Sequence, residues 1–178
     1  MNNLDSKSLN IFLKKAAKEL VGDWVLLGGT LLPALGVDVR VTTDIDIICL
    51  DESTNKQQLV LMELAESMKI PPESINMAAE YFFRKVGHKK EDLIPLVKGP
   101  RCVIYRPSVT LYLLLKIARL TESDLLDCES MILYAKKNHE VIDRSRLTAA
   151  IKSALQKAAS NEGHLQRLED LRRMIGDS

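Results

Sequence analysis

The sequence predicts an α+β fold, in which a small mixed β-sheet packed by helices precedes a helical C-terminal region. The first observation is that short apolar runs of strand length, bounded by turn residues, lie in the first two-thirds of the chain. The second is that, from Ser108 onward, apolar residues recur almost throughout at helical spacing. We therefore expect an α/β core with an N-terminal helix over residues 1–106. A helical region over residues 107–178 would complete the core and the site.

The N-terminal part of the chain alternates helix and strand candidates. The first helix is indicated by apolar residues at helical spacing, with Ser6 or Ser8 as its cap; these apolar residues are Leu9, Phe12, Leu13, Ala16, Ala17 and Leu20. The elements expected after it are a strand over 24–28, a short helix over 29–36, a strand over 44–50 and a helix over 55–69. Pro71-Pro72 ends that helix and starts another, predicted over 73–86, because proline is tolerated in a first helical turn.

The later part of the chain begins with a predicted hairpin. Leu93–Val97 and Cys102–Tyr105 are strand candidates joined by a short connection, Lys98–Arg101. The remaining residues divide into amphipathic helices, one of which we expect to open at Asp143 or Ser145.

Composition limits the classes of function. The 178 residues are 46% hydrophobic and 28% charged with a formal net charge of +1, so no overall charge points to nucleic acid or a membrane. The three cysteines are an odd number without metal-ligand spacing, which argues against a disulfide framework. The N-terminus lacks the layout of a signal peptide, and no apolar run is long enough to cross a bilayer. We therefore expect a cytoplasmic protein without a membrane partner.

The Gly28-Gly29-Thr30 turn is the first candidate site. Two glycines after an apolar strand let the backbone approach a ligand closely. Thr30 adds a hydroxyl beside free backbone N–H groups at a helix start, which suits a phosphate. An ordinary strand-to-helix turn would have the same residues, and no Gly-Lys-Ser/Thr of a Walker loop follows.

Asp44 and Asp46 form the second candidate site. Residues two apart in a strand point to the same face, so both carboxylates project together. Buried acids that repel each other need a cation, and Mg²⁺ prefers one or two carboxylates plus phosphate oxygens. The alternative is an exposed strand end with solvated acids. Arg40 precedes the pair and either contacts phosphate or forms a structural salt bridge with a carboxylate.

A third group of charges lies in the helical region. Lys116 and Arg119 share one helix face, and Asp124 and Asp127 share a face of the next segment. Lys116 sits on a very apolar helix, so its ammonium must reach an edge or an anion. A salt-bridged helix corner would explain the same four residues.

These motifs together resemble the signature of the nucleotidyltransferase superfamily. The first block is Gly28-Gly29-Thr30, Arg40 and Thr43-Asp44-Ile45-Asp46-Ile47, a glycine turn followed by a strand with two metal-binding aspartates. The second block, Lys116, Arg119 and Asp124-Leu125-Leu126-Asp127, is similar to that of the AbiEii-type branch, which includes toxins of toxin–antitoxin and phage-defence systems. The resemblance covers roughly residues 20–135.

The resemblance implies a nucleotidyltransferase-like sheet and a Mg²⁺- or Mn²⁺-dependent enzyme that moves a nucleoside monophosphate from an NTP to a hydroxyl of RNA or protein. Asp44 and Asp46 would hold the metal. Gly28, Gly29, Thr30, Arg40, Lys116, Arg119 and Asp124 would bind the nucleotide. Asp127 or Asp124 would serve as a further acid, either a general base or a positioning group, and Lys116 would stabilise charge on the phosphate. A cognate antitoxin is an implied partner.

The sequence departs from this family pattern in one respect. Many active members carry a third carboxylate on a later strand, and neither LIPLV nor CVIY contains one. The alternative is therefore a nucleotidyltransferase fold of weak or no activity that binds a nucleotide or a partner protein. A small-molecule transferase with a polycationic acceptor is a further alternative, but it would need an excess of acidic residues, and the chain has 24 acids against 25 cations.

Overall fold

The computed structural model describes residues 5–37, 44–51, 55–158 and 161–176. The chain divides into two compact units, Met1–Pro107 and Ser108–Ser178. Within the described residues it is an α+β protein with eight α-helices and one five-stranded mixed sheet, and the C-terminal unit is helical. The predicted α+β class is therefore confirmed.

The sheet belongs entirely to the first unit. Its strands are β1 (Gly22–Leu26), β2 (Ile45–Cys49), β3 (Ile75–Asn76), β4 (Leu93–Lys98) and β5 (Cys102–Pro107). Their order across the sheet is β3-β2-β1-β5-β4, with β1 in the centre. β1 runs antiparallel to β2 and parallel to β5, and β4 and β5 form the predicted antiparallel hairpin.

Apolar β-branched and aromatic side chains explain why β1 takes the central position. Trp24, Val25 and Leu26 are all fully buried. A strand buried on both faces reads as a continuous apolar run rather than an alternating one. The pairing of Leu26 with Ile47 and of Trp24 with Ile104 continues this buried layer into both neighbouring strands.

Four helices accompany the sheet. They are α1 (Ser6–Glu19), α2 (Leu31–Ala34), α3 (Asn55–Ser67) and α4 (Ala79–Val86). α1 packs against β4, β5, α2 and α3, and α4 packs against β2. The predicted serine cap is wrong: Asp5 caps α1, and its carboxylate accepts a hydrogen bond from the Ser8 backbone N–H at 2.6 Å.

The prediction of one helix over residues 73–86 is also wrong. A 3₁₀ turn at Pro72–Ser74 leads into β3, and only Ala79–Val86 is α-helical. The reason is tertiary pairing, because Ile75 lies beside Ile45 of β2 in a parallel ladder. The short pairing outweighs the local helical preference. The predicted strand over 44–50 is shorter than expected, so Asp44 lies just before β2.

The second unit consists of α5 (Val109–Ile117), α6 (Glu122–Asn138), α7 (Arg144–Lys157) and α8 (Glu162–Gly176). α5 packs against α6 and α7, and α8 packs against the same two helices. Asp143 caps α7 as expected. No helix in the described part of the chain is long and apolar enough to span a bilayer.

Candidate functional site

The structure places Asp46 directly against Gly28. Gly28 has a φ of 64°, and a Cβ built on it would lie 1.8 Å from Oδ2 of Asp46. The neighbouring Leu27 N–H donates to the backbone carbonyl of Asp46 at 2.7 Å, which holds the two segments in register. Only glycine fits this position, because any side chain would occupy the place of the carboxylate. The glycine turn and the second acid of the motif are therefore one structural feature.

Asn76 fixes the other oxygen of the Asp46 carboxylate. Its Nδ2 donates to Oδ1 of Asp46 at 2.6 Å, and its own Oδ1 accepts from the Ala78 backbone N–H at 3.0 Å. β3 brings the two residues side by side, since Asp46 and Asn76 are partners in its ladder. Sequence reasoning missed Asn76, and no local pattern marks it, because the contact spans 30 residues of chain.

Thr30 connects the glycine turn to the first acid. Its side chain is fully buried, and its hydroxyl donates to the backbone carbonyl of Asp44. The proton of that hydroxyl is thus directed at Asp44 rather than outward. Gly29 lies in the same turn, where its carbonyl accepts from the Leu32 N–H at 3.3 Å. Hydrogen bonds to the carbonyls of Asp44 and Asp46 therefore join the turn to the start of β2.

The two acids differ in their surroundings. Asp44 is exposed and Asp46 is half-buried. Asp46 projects from β2, whereas Asp44 precedes the strand. Arg40 lies outside the described residues.

The donor set of this site fits a hard divalent cation. Asp44 and Asp46 supply carboxylate oxygens two residues apart, and Asn76 orients one of them as groups behind metal ligands commonly do. Within the described ranges, no three His, Cys, Asp or Glu side chains form a metal-binding group. Two carboxylates suit Mg²⁺ when a bound phosphate supplies further oxygens.

The second predicted group of residues forms a buried charge cluster within the C-terminal unit. The Lys116 Nζ lies 2.7 Å from Oδ1 of Asp124 and 3.0 Å from Oδ2 of Asp127. The Lys116 side chain is only 8% exposed, and both carboxylates are fully buried. One ammonium is therefore shared by two buried carboxylates, and this pairing joins α5 to α6.

Asp124 has the most complete set of donors. Arg119 donates from Nε and from one terminal nitrogen, at 2.8 Å each, to the two oxygens of the carboxylate. Thr121 donates its backbone N–H and its hydroxyl to Oδ2, completing a capping box at the start of α6. Burial alone would raise the pKa of Asp124, but hydrogen bonds from Arg119 and Lys116 outweigh burial and hold that pKa well below its usual range. Asp124 is thus a poor proton acceptor.

The predicted site residues therefore fall into two groups. The first unit brings together Gly28, Gly29, Thr30, Asp44 and Asp46. The second unit brings together Lys116, Arg119, Asp124 and Asp127 in the arrangement of a salt-bridged helix corner, one of the two interpretations that the sequence allowed.

A separate cleft of about 410 Å³ lies between the end of β2 and α4, within the first unit. Its walls include Cys49, Phe83, Arg84 and His88, and none of the predicted site residues. Burial raises the pKa of the Cys49 thiol, which keeps it protonated at neutral pH. Arg84 is already paired with Glu80 at 2.8 Å. The cleft thus has mixed polar and apolar walls, and its thiol is held in the protonated form.

Comparison with protein-family models, with curated proteins and with solved structures found no match to this chain.

Proposed function

We propose that this protein is a Mg²⁺-dependent nucleotidyltransferase that moves a nucleoside monophosphate from an NTP to a hydroxyl acceptor. One observation carries the proposal: the Asp46 carboxylate rests on Gly28, at a position where a Cβ would collide with it. A strand carboxylate held against a glycine turn suits a metal–triphosphate, because the cation and the phosphates must be bound close together.

In this proposal, each candidate site residue of the first unit has a separate role. Asp44 and Asp46 hold the cation, and Asn76 keeps the Asp46 carboxylate in one orientation. The absence of a side chain at Gly28 lets the Asp46 carboxylate lie against the turn, so that a cation bound there would stand beside the backbone that approaches the phosphates. The bound Mg²⁺ would neutralise the triphosphate and favour ionisation of the attacking hydroxyl.

The overall reaction forms a bond between the acceptor oxygen and the α-phosphorus of the NTP. The bond from that phosphorus to the bridging oxygen of the β-phosphate breaks, pyrophosphate leaves, and the hydroxyl proton passes to a base. Asp124 is a poor candidate for that base, because its pKa is depressed and both its oxygens already accept hydrogen bonds. Asp127 is the other acid that the resemblance implies for this step, and its Oδ2 accepts a hydrogen bond from Lys116.

The activity is tested by incubating the protein with α-labelled NTPs, Mg²⁺ and total RNA or cell lysate. The wild type should transfer label. Asp46→Asn should transfer at least about a hundredfold less, because the substitution removes a carboxylate that would bind the cation. Glu63→Gln on α3 is the control, because it removes one exposed acid that belongs neither to β2 nor to the glycine turn. Absence of label transfer by the wild type with all four NTPs would reject the enzymatic proposal.

RNA is the acceptor that we favour. α7 carries Arg144, Arg146, Lys152 and Lys157 and no acidic residue. A helix with four cations provides contacts to a phosphate backbone. Binding to RNA should weaken as salt rises, and Lys152→Glu should weaken it further. If label goes to protein in lysate and RNase treatment leaves that product intact, the acceptor is a protein instead.

The resemblance to the AbiEii-type branch extends the proposal to a toxin or defence role in the cytoplasm, with a cognate antitoxin as partner. Induced expression of the wild type should then slow growth, whereas Asp46→Asn should not. Equal growth of the two strains at equal protein levels would reject the toxin role but not the transferase activity.

A second candidate function is nucleotide or partner binding without transfer. The Lys116 ammonium, which the resemblance assigns to phosphate, is almost fully buried and bonded to both Asp124 and Asp127. Calorimetric titration with ATP, CTP, GTP and UTP in the presence of Mg²⁺ distinguishes the candidates. Nucleotide binding without label transfer supports a nucleotide-binding function. If no nucleotide binds, partner binding is the part of this second candidate that remains.

A further inference from the structure

α6 presents an exposed stripe in addition to its buried face. Leu126 and Leu133 are 54% and 58% exposed, although leucines of a well-packed helix are usually buried. They are seven residues apart, which places them on the same side of the helix two turns from each other. Both face away from the core side of the helix, where the buried residues are Asp124, Asp127, Cys128, Met131, Ile132 and Ala135.

Charged residues of opposite sign frame the two leucines. Glu122 lies four residues before Leu126, and Lys137 lies four residues after Leu133. Both charged residues are exposed, and neither forms an ion pair with another residue in the part of the chain that the structure describes. At 100° per residue, all four side chains fall within a stripe narrower than a third of the helix circumference.

The order of these residues along the helix is symmetric. Read in either direction, the stripe has a charge, a leucine, a leucine and a charge at the same spacing, and reversal exchanges the signs. The centre of symmetry falls between Glu129 and Ser130. A surface of this kind is complementary to itself when two copies meet antiparallel about a two-fold axis.

We propose that this stripe of α6, defined by Glu122, Leu126, Leu133 and Lys137, is a homodimer interface. In the antiparallel pairing, Leu126 of each copy packs against Leu133 of the other. Glu122 of each copy faces Lys137 of the other, so both ends carry an opposite-charge pair. The second copy of this chain is the chosen occupant because a different partner would not require the symmetric charge order.

The size of the stripe sets the strength of association. Residues 122–137 span about 22 Å of helix, at a rise of 1.5 Å per residue. One such helix pair buries less surface than a standard stable interface. We therefore expect a reversible dimer with a dissociation constant in the micromolar range or weaker, with fast exchange. This inference is independent of the proposed enzymatic function.

Sedimentation equilibrium of the full chain over a range of concentrations tests the interface, with far-UV circular dichroism to confirm folding. Glu122→Lys and Lys137→Glu each turn two attractive pairs into two repulsive ones, and each should weaken the dimer about tenfold. The double variant Glu122→Lys/Lys137→Glu restores opposite charges and should recover most of the wild-type association.

Leu133→Ser tests the apolar part of the stripe. It should weaken the dimer as well, because the leucine pairs provide the apolar surface buried on association. Val141→Ser is the matched control, since Val141 is 85% exposed and lies beyond the end of α6. If Leu133→Ser does not fold, the three charge variants still decide the question.

Three results would overturn the proposal. The first is a wild type that stays monomeric at all concentrations up to the solubility limit. The second is a dimer that both single charge variants leave unchanged. The third is a double variant that associates no better than the single ones, which would show that Glu122 and Lys137 do not face each other.

Discussion

Replacing Lys116 by methionine should destabilise the C-terminal unit strongly. The Lys116 ammonium lies 2.7 Å and 3.0 Å from the carboxylates of Asp124 and Asp127, both fully buried. Methionine fills a similar volume but leaves two buried carboxylates without their shared cation. Removing one partner of a buried ion pair costs about 3–5 kcal/mol, because the remaining charge stays desolvated. For a protein of this length, that corresponds to a loss of about 6–20 °C in Tm.

Arg119→Met is the matched control for this experiment. Arg119 binds the same Asp124 carboxylate, but its side chain is 71% exposed. Solvent reaches the Arg119 guanidinium and screens its charge, and Asp124 keeps Lys116 as a buried partner, so the loss of Arg119 should lower the free energy of unfolding by less than about 1 kcal/mol. The two variants therefore compare the loss of a buried cation with the loss of an exposed cation at the same acceptor, the Asp124 carboxylate.

The assay is urea unfolding followed by far-UV circular dichroism, comparing midpoints at equal slopes. A Lys116→Met variant that loses no more stability than Arg119→Met would refute a structural role for the cluster. If that variant stays stable but loses label transfer, Lys116 acts in nucleotide binding as the resemblance implies.

Three further substitutions test single features of the structure. Gly28→Ala should lower the free energy of unfolding by more than Gly36→Ala in urea unfolding, because both have positive φ but only the former places a Cβ on the Asp46 carboxylate; equal losses would contradict the described contact. Gly99→Ala should destabilise by about 1–3 kcal/mol, since its Cβ would lie 1.7 Å from a backbone carbonyl oxygen of α1, and an unchanged thermal melting temperature would show that the β4–β5 turn is not held there. Asp124 has a folded-state pKa below its unfolded value of about 3.9, so its stabilisation is complete above that value and is lost as the pH falls towards the folded pKa. The difference in free energy of unfolding between wild type and Asp124→Asn should therefore shrink from pH 5 to pH 3. A difference that grows on acidification would contradict a lowered pKa of Asp124 in the folded state.

The elements with local signals could be predicted from the sequence. The β4–β5 hairpin has two apolar runs and a short Gly-Pro connection, so its pairing needs only neighbouring residues. The helices of the second unit follow from apolar residues at helical spacing, which form their buried faces. The corner formed by Lys116 and Asp124 was one of two interpretations, because a charge on an apolar helix must find either an internal partner or a ligand.

The parts that could not be predicted depend on pairs of residues far apart in the chain. β3 has only two residues, too few for any periodic pattern, and it exists because Ile75 pairs with Ile45. Asn76 reaches Asp46 through the same pairing. The hydroxyl of Thr30 donates to the backbone carbonyl of Asp44, and no local sequence feature indicates that hydrogen bond.

The central position of β1 has a consequence for the order in which the chain folds during synthesis. β1 can pair with β2 soon after both strands have been translated. Its other edge pairs with β5, where Cys102 is the partner of Gly22, so that edge stays unpaired until β5 has been synthesised. At about 5–20 residues per second, roughly 4–16 seconds of synthesis separate the two strands. During that interval one edge of the central strand, with the buried residues Trp24, Val25 and Leu26, lies open to pairing with other nascent chains. Synonymous changes that slow translation between β2 and β5 should therefore increase aggregation without altering a single residue of the finished protein.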